Sequence, residues 1–123
     1  MSALRILHLE DNPVDADLIE AVLDAEGFSC EISRAATAEA FFAALKEGNF
    51  DLILADHSLP SFNGIAALSL AHKRHPNVPF IFVSGVIDEE LAAETLKSGA
   101  AGYVFKQHLE QLVPAVRRAL GKS

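Results

Sequence analysis

Short apolar runs alternate along the chain with longer stretches of helical periodicity. Leu4–Leu9 is the first apolar run; it predicts a strand that stops at Glu10 and Asp11. Asn12 suits an N-cap, Pro13 a first helical position, and Asp15 and Asp17 the positive first turn. A helix is therefore expected over 13–26, with Ala16, Ile19, Val22 and Leu23 inward and Gly27 closing it. Residues 28–33 alternate rather than run continuously, which suits an edge strand. Thr37 caps a second helix with Ala38, Phe41, Phe42 and Leu45 on its core face, ended by Gly48. Residues 51–55 form a third, continuously apolar strand. Gly64–Arg74 is a helix with Ile65, Leu68 and either Leu70 or Ala71 inward, stopped at His75-Pro76-Asn77. Residues 80–83 are a fourth strand, followed by Ser84-Gly85. Asp88 caps a helix with Glu89 and Glu90 in its first turn and Gly99 at its end. Residues 103–105 are a fifth strand ending in Lys106. Pro114 cannot occupy a helix interior, so the last helix is expected to begin just before it, with Val113, Val116 and Leu120 inward.

Five β–α units with no repeat or low-complexity tract predict an α/β protein with a parallel sheet covered on both faces and right-handed crossovers. One domain is expected over residues 1–123. Half of the residues are hydrophobic, which fits a globular chain. The formal net charge of −7 disfavours nucleic acid and anionic membranes as partners. Cys30 is the only cysteine, so neither a disulfide framework nor a cysteine zinc site is expected, and its apolar setting predicts a small buried hydrophobe. The first residues carry too short an apolar run for a signal peptide, and no stretch approaches the ~20 apolar residues of a membrane span, so a cytoplasmic location is expected.

The chemistry gathers at the carboxyl ends of the strands, where open α/β sheets bind ligands. Strand 1 contributes Glu10 and Asp11, strand 3 Asp56, strand 4 Ser84 and strand 5 Lys106. Each has a plain alternative: Asp56 as a loop-turning residue, Glu10 and Asp11 as favourable charges at a helix start, Ser84 as a turn residue, Lys106 as a solvated charge. Together they are more specific. Carboxylates brought close need a positive charge between them, and Mg²⁺ takes hard oxygen ligands while keeping waters for a phosphate. A lysine and a hydroxyl suit phosphoryl oxygens, and an ionised carboxylate can itself be the nucleophile.

On the motifs L-H-L-E-D-N-P, D-L-I-L-A-D-H-S-L-P-S-F-N-G, P-F-I-F-V-S-G and G-Y-V-F-K, the sequence resembles the receiver domains of two-component response regulators, the CheY-like family. The resemblance runs from Leu4 to Leu120. It implies a doubly wound, flavodoxin-like (βα)5 three-layer sandwich with strand order 2-1-3-4-5. It implies that Asp56 accepts a phosphoryl group from a phosphohistidine on a sensor histidine kinase or a histidine phosphotransfer protein. Glu10, Asp11, Asp56 and the backbone carbonyl of Ser58 would hold Mg²⁺, and Ser84 and Lys106 would contact the phosphoryl oxygens. Ser84 and Tyr103 would couple phosphorylation to an output surface of helix 4, strand 5 and helix 5, read by a downstream protein. The Tyr103 ring fits either that switch or an ordinary strand aromatic. The protein would be a monomer or a phosphorylation-dependent dimer. It would act as a signalling phosphoacceptor rather than an enzyme on other substrates.

Three departures from the family pattern stand out. Gly85 replaces a commoner Ala, and Glu10 a commoner Asp. Gln107 stands where a Pro usually follows the Lys, so the cis bond often found there is not expected, because a cis non-proline bond costs ~3 kcal/mol. An aspartyl-nucleophile phosphatase is the rival enzyme reading. Such enzymes usually carry a second Asp two residues beyond the nucleophile, where this chain has Ser58, and no segment is left over for a cap. A degenerate receiver that only binds proteins is the third reading. His57 is expected to be packed or solvent-facing, and His8, His72, His75 and His108 are too scattered to suggest a metal site.

Overall fold

The computed structural model describes residues 3–57, 63–85 and 88–121. Five parallel strands, β1 (Leu4–Leu9), β2 (Cys30–Ala35), β3 (Leu52–Ala55), β4 (Phe80–Ser84) and β5 (Gly102–Phe105), form one sheet in the order β2-β1-β3-β4-β5. The helices are α1 (Pro13–Ala25), α2 (Ala38–Glu47), α3 (Gly64–Arg74), α4 (Glu89–Lys97) and α5 (Leu112–Ala119). This is the doubly wound, CheY-like flavodoxin topology that the sequence resemblance implies. The strand order reverses between β1 and β3, and that switch point opens a crevice at the carboxyl edge.

Strand pleat sorts the core into two layers. Leu7, Leu9, Ile53, Phe80 and Phe82 face Phe41 and Leu45 of α2 and Ala67, Leu68 and Ala71 of α3. Ile6, Leu52, Leu54, Ile81, Val83 and Val104 face Ile19 and Leu23 of α1 and Leu112, Val113 and Val116 of α5. β3 and β4 are buried on both faces, as is β1 from Ile6 onward, which is why these segments are almost wholly apolar. β2 is half exposed, and its alternating sequence fits that edge position.

Capping residues set the helix starts. Asn12 accepts from Val14 N, Thr37 from Ala40 N, Asn63 from Ala66 N and Asp88 from Leu91 N. Gly27 and Gly99 close α1 and α4 with φ of 86° and 111°.

Some boundaries differ from expectation. β2 spans Cys30–Ala35 rather than 28–33, because Phe28 N still donates to Leu23 O in closing α1 and Ser29 O accepts from Leu4 N at the start of the ladder. Phe28 instead lays its ring against the α1–α5 layer, with the Arg117 guanidinium 5.7 Å above it. α1 ends at Ala25 with Glu26 as its cap, one residue early. Asp51 stands just outside β3 and bonds Arg5 N through its side chain. β4 and β5 each gain a residue, Ser84 and Gly102. Ala16, Val22, Cys30, Ala38, Phe42, Ile65 and Leu120 are half-buried rather than core, and of Leu70 and Ala71 it is Ala71 that is buried. The approach to α5 is a pair of 3₁₀ turns within Lys106–Gln111, broken at His108 (φ −132°, ψ 53°), and Pro114 falls in the first turn of α5. Among the described residues every peptide bond is trans, in line with Gln107 standing in place of Pro.

Candidate functional site

Backbone pleat carries the chemistry to the α1 side of the crevice. Glu10 follows Ile6 and His8 in phase, Asp56 follows Leu52 and Leu54, and Lys106 follows Val104. Their side chains meet. Lys106 Nζ lies 2.7 Å from Glu10 Oε1, 2.7 Å from Asp15 Oδ2 and 2.8 Å from Asp56 Oδ2. Glu10 and Asp56 are buried, while Asp11 is exposed at the rim. The backbone fixes the acids in turn: Glu10 N donates to Ala35 O, Asp56 N to Leu9 O, and Arg34 Nε to Glu10 O.

Oxygens of Glu10, Asp11 and Asp56 lie within 4.8 Å of one another. At an effective dielectric constant of about 20, two such carboxylates repel by about 3 kcal/mol, so one ammonium among several acids leaves the cluster short of positive charge. Burial raises the Glu10 pKa above the usual carboxylate range, against the opposing hydrogen-bonding influence of Lys106 and the Asn12 backbone N–H. For Lys106, burial alone would lower the pKa. The carboxylates of Asp15, Asp56 and Glu10 outweigh it, and the ammonium is held well above the ordinary lysine value.

The donor set fits a hard divalent cation. All three groups are carboxylates, and buried Glu10 Oε1 has the Lys106 charge beside it but no well-directed hydrogen bond among the described residues. Glu10 Oε2 accepts from Asn12 N at 3.2 Å, so Oε1, held beside the Lys106 ammonium, is the oxygen that would turn to a metal.

Ser84 and Tyr103 occupy the other face. Ser84 closes β4 in phase with Phe80 and Phe82 and is fully buried. The Tyr103 ring is turned inward, 5.7 Å from Phe82, 5.5 Å from Phe105 and 6.3 Å from His57. Burial raises the Tyr103 pKa, the neighbouring Ser84 side chain offsets part of that rise, and the fields of Asp56 and Asp88 add to it. The buried hydroxyl forms no well-directed hydrogen bond among the described residues. His57 packs its ring 4.9 Å from Phe82, in line with a packing role. Ser58, whose carbonyl the resemblance assigns to Mg²⁺, lies outside the described residues.

Two features of the site were not expected. Asp15 is fully accounted for in sequence as a first-turn acid, yet it is one of the three partners of Lys106. The only signal available was its place in the first turn of the helix that follows β1, close to the carboxyl edge of the sheet. His8, counted among the scattered histidines, is buried beneath the acids with neither ring nitrogen hydrogen-bonded among the described residues. Burial, followed by the fields of Lys106 and Arg34, lowers its pKa to about 4.

Fold and edge chemistry together define a CheY-like domain with an acid–lysine centre at the topological switch point. The model of the response regulator receiver domain matches residues 6–117. The chain belongs to that family. It is 28% identical over 121 residues to the cell cycle transcriptional regulator CtrA of Caulobacter vibrioides, covering 98% of this chain and 52% of CtrA. It is 30% identical over 118 residues to the nitrogen assimilation regulatory protein NtrX of Azorhizobium caulinodans, covering 94% of this chain and 26% of NtrX. The chain thus spans about half or less of these relatives' length. A CheY-like receiver domain from Methanospirillum hungatei superposes with a TM-score of 0.81 at 32% identity, covering 98% of this chain and 95% of that one. Among the described residues no helix is long and apolar enough to cross a membrane.

Proposed function

We propose that residues 1–123 act as one receiver unit of a two-component phosphorelay in which Asp56 is the phosphoacceptor. The observation that carries this reading is the convergence of Lys106 Nζ on Asp56 Oδ2 at 2.8 Å beside the Glu10–Asp11–Asp56 oxygen cluster. An oxygen of Asp56 attacks phosphorus as the P–N bond of a partner phosphohistidine breaks. The electron pair of that bond goes to the imidazole nitrogen, which takes up a proton, and an aspartyl phosphate forms. Glu10, Asp11, Asp56 and the Ser58 carbonyl would hold Mg²⁺, which supplies charge neutralisation for the phosphoryl oxygens. Lys106 places its ammonium on one phosphoryl oxygen, and the Ser84 hydroxyl donates to another. Movement of Ser84 toward the phosphoryl group removes it from the Tyr103 hydroxyl and biases the α4–β5–α5 surface toward its output state.

The donors are a sensor histidine kinase or a histidine phosphotransfer protein. The output is a downstream protein contact or a phosphorylation-dependent dimer. The acidic charge of −7 favours protein over nucleic-acid partners for this domain. Self-phosphorylation and dephosphorylation are the only catalysis proposed, and the setting is cytoplasmic.

The test is phosphate-affinity electrophoresis of wild type and Asp56→Ala after incubation with acetyl phosphate, with and without Mg²⁺. A Mg²⁺-dependent retarded band in wild type alone is expected. No retarded band, or one retained in the variant, overturns the assignment.

A further inference from the structure

We infer that Asp15 is a positioning residue for Lys106, the one carboxylate that keeps hold of the ammonium while the other two turn to metal and phosphoryl group. The inference rests on the phosphoacceptor reading of Asp56. An ammonium has three N–H donors, and Lys106 has three carboxylate partners, Glu10, Asp15 and Asp56, all within 2.8 Å. Two of these belong to the oxygen cluster suited to a divalent cation; Asp15 does not. A cation held by Glu10, Asp11 and Asp56 takes over their charge and repels Lys106. Asp15 is then the partner left to it.

The placement of Asp15 supports that role. It sits in the first turn of α1, where the Asn12 side chain accepts from the N–H groups of Val14 and Asp15 and fixes the local backbone. Its side chain is 31% exposed and that of Lys106 is 17% exposed, so the pair lies at the mouth of the crevice. Beside them opens a cleft of about 40 Å³ lined by Asp15, Leu18, Ile19, Lys106 and Leu109. Lys106 borders this open space, so packing alone does not fix its ammonium; the ion pair with Asp15 does, and it keeps the ammonium poised to meet a phosphoryl oxygen.

The experiment follows the Lys106 ammonium by ¹H–¹⁵N NMR in wild type, Asp15→Asn and Asp15→Glu, before and after saturation with Mg²⁺, with Lys106→Met giving the assignment. The expected result is a slowly exchanging Lys106 signal in every Mg²⁺-free protein that retains the lysine. On adding Mg²⁺ it persists in wild type and Asp15→Glu and broadens beyond detection in Asp15→Asn. Labelling by acetyl phosphate should then fall about tenfold in Asp15→Asn and recover in Asp15→Glu. Asp15→Asn should cause no further loss in a Lys106→Met background. Persistence of the signal in Mg²⁺-saturated Asp15→Asn, or its loss from Mg²⁺-saturated wild type, overturns the positioning role while leaving Asp56 as acceptor untouched. Absence of Mg²⁺-induced shifts at the Asp11 and Asp56 amides overturns the metal-site reading and this inference with it.

Discussion

Lys106 shows how a single residue organises the site. Its ammonium replaces solvent for buried Glu10 and Asp56, and without it two carboxylates would be left uncompensated at the end of the sheet. His8 is the opposite case, a buried polar side chain with no hydrogen bond among the described residues. Its folded pKa of about 4 lies below the ordinary 6.5, so between those values the unfolded chain binds a proton that the folded chain refuses. The cost of keeping His8 neutral is therefore absent above pH 6.5 and grows as pH falls toward 4, reaching a loss of up to about 3 kcal/mol. Urea unfolding at a series of pH values should show this slope, and His8→Leu should flatten it while adding about 1 kcal/mol of stability near neutrality. An unchanged slope in the variant would assign the pH dependence to other groups. Of the acid–lysine centre, Glu10, Asp11, Asp56 and Lys106 were legible in sequence because each ends an apolar run. Asp15 and His8 were not singled out, because one had a sufficient role as a helix-start acid and the other lay inside an apolar strand. Their significance comes from tertiary contacts between α1, β1 and β5.

At the scale of elements, the caps and apolar periodicity placed every element and most boundaries to within one residue, with β2 shifted by two. Asn12, Thr37 and Asp88 cap the helices their sequence positions predict, and Asn63, not singled out in the sequence, caps α3 in the same way. Asn63→Ala should cost about 1 kcal/mol in thermal or urea unfolding through loss of its bond to Ala66 N. Gly64 is the first residue of α3, and a Cβ there would run into the His57 ring and approach Phe82 at 3.0 Å. Gly64→Ala should therefore destabilise by roughly 2 kcal/mol through overpacking, and displaced Tyr103 and Phe82 ring resonances should report it. The shift of β2 to Cys30–Ala35 was hidden because Phe28 is as suited to a strand as to the closing turn of α1; long-range pairing of Leu4 with Cys30 decides the register. The 3₁₀ entry to α5 was signalled only indirectly, by Gln107 and Pro114. Gln107 Nε2 now donates to Gly85 O at 3.1 Å, joining two of the three departures from the family pattern in one contact between the β4 and β5 exits.

For the whole molecule, two apolar layers hold the sheet rigid, and its carboxyl edge carries charge on one face and the Ser84–Tyr103 pair on the other. Phosphorylation at Asp56 should propagate from the first to the second. Amide chemical-shift changes on forming the phosphorylated state should extend beyond the site to α4, β5 and α5, and Ser84→Ala should reduce them on those elements while leaving those at Glu10 and Asp11. Changes confined to the β1, β3 and β5 exits would contradict the coupling. The central claim is that Asp56 is the residue that becomes covalently modified. The most direct measurement is borohydride reduction of the acetyl-phosphate-treated, Mg²⁺-loaded protein followed by peptide mass mapping, which converts an aspartyl phosphate to homoserine at its own position. Homoserine at residue 56 and at no other acid is the expected result; unmodified Asp56, or homoserine at Asp11 or Asp15 instead, would contradict the account.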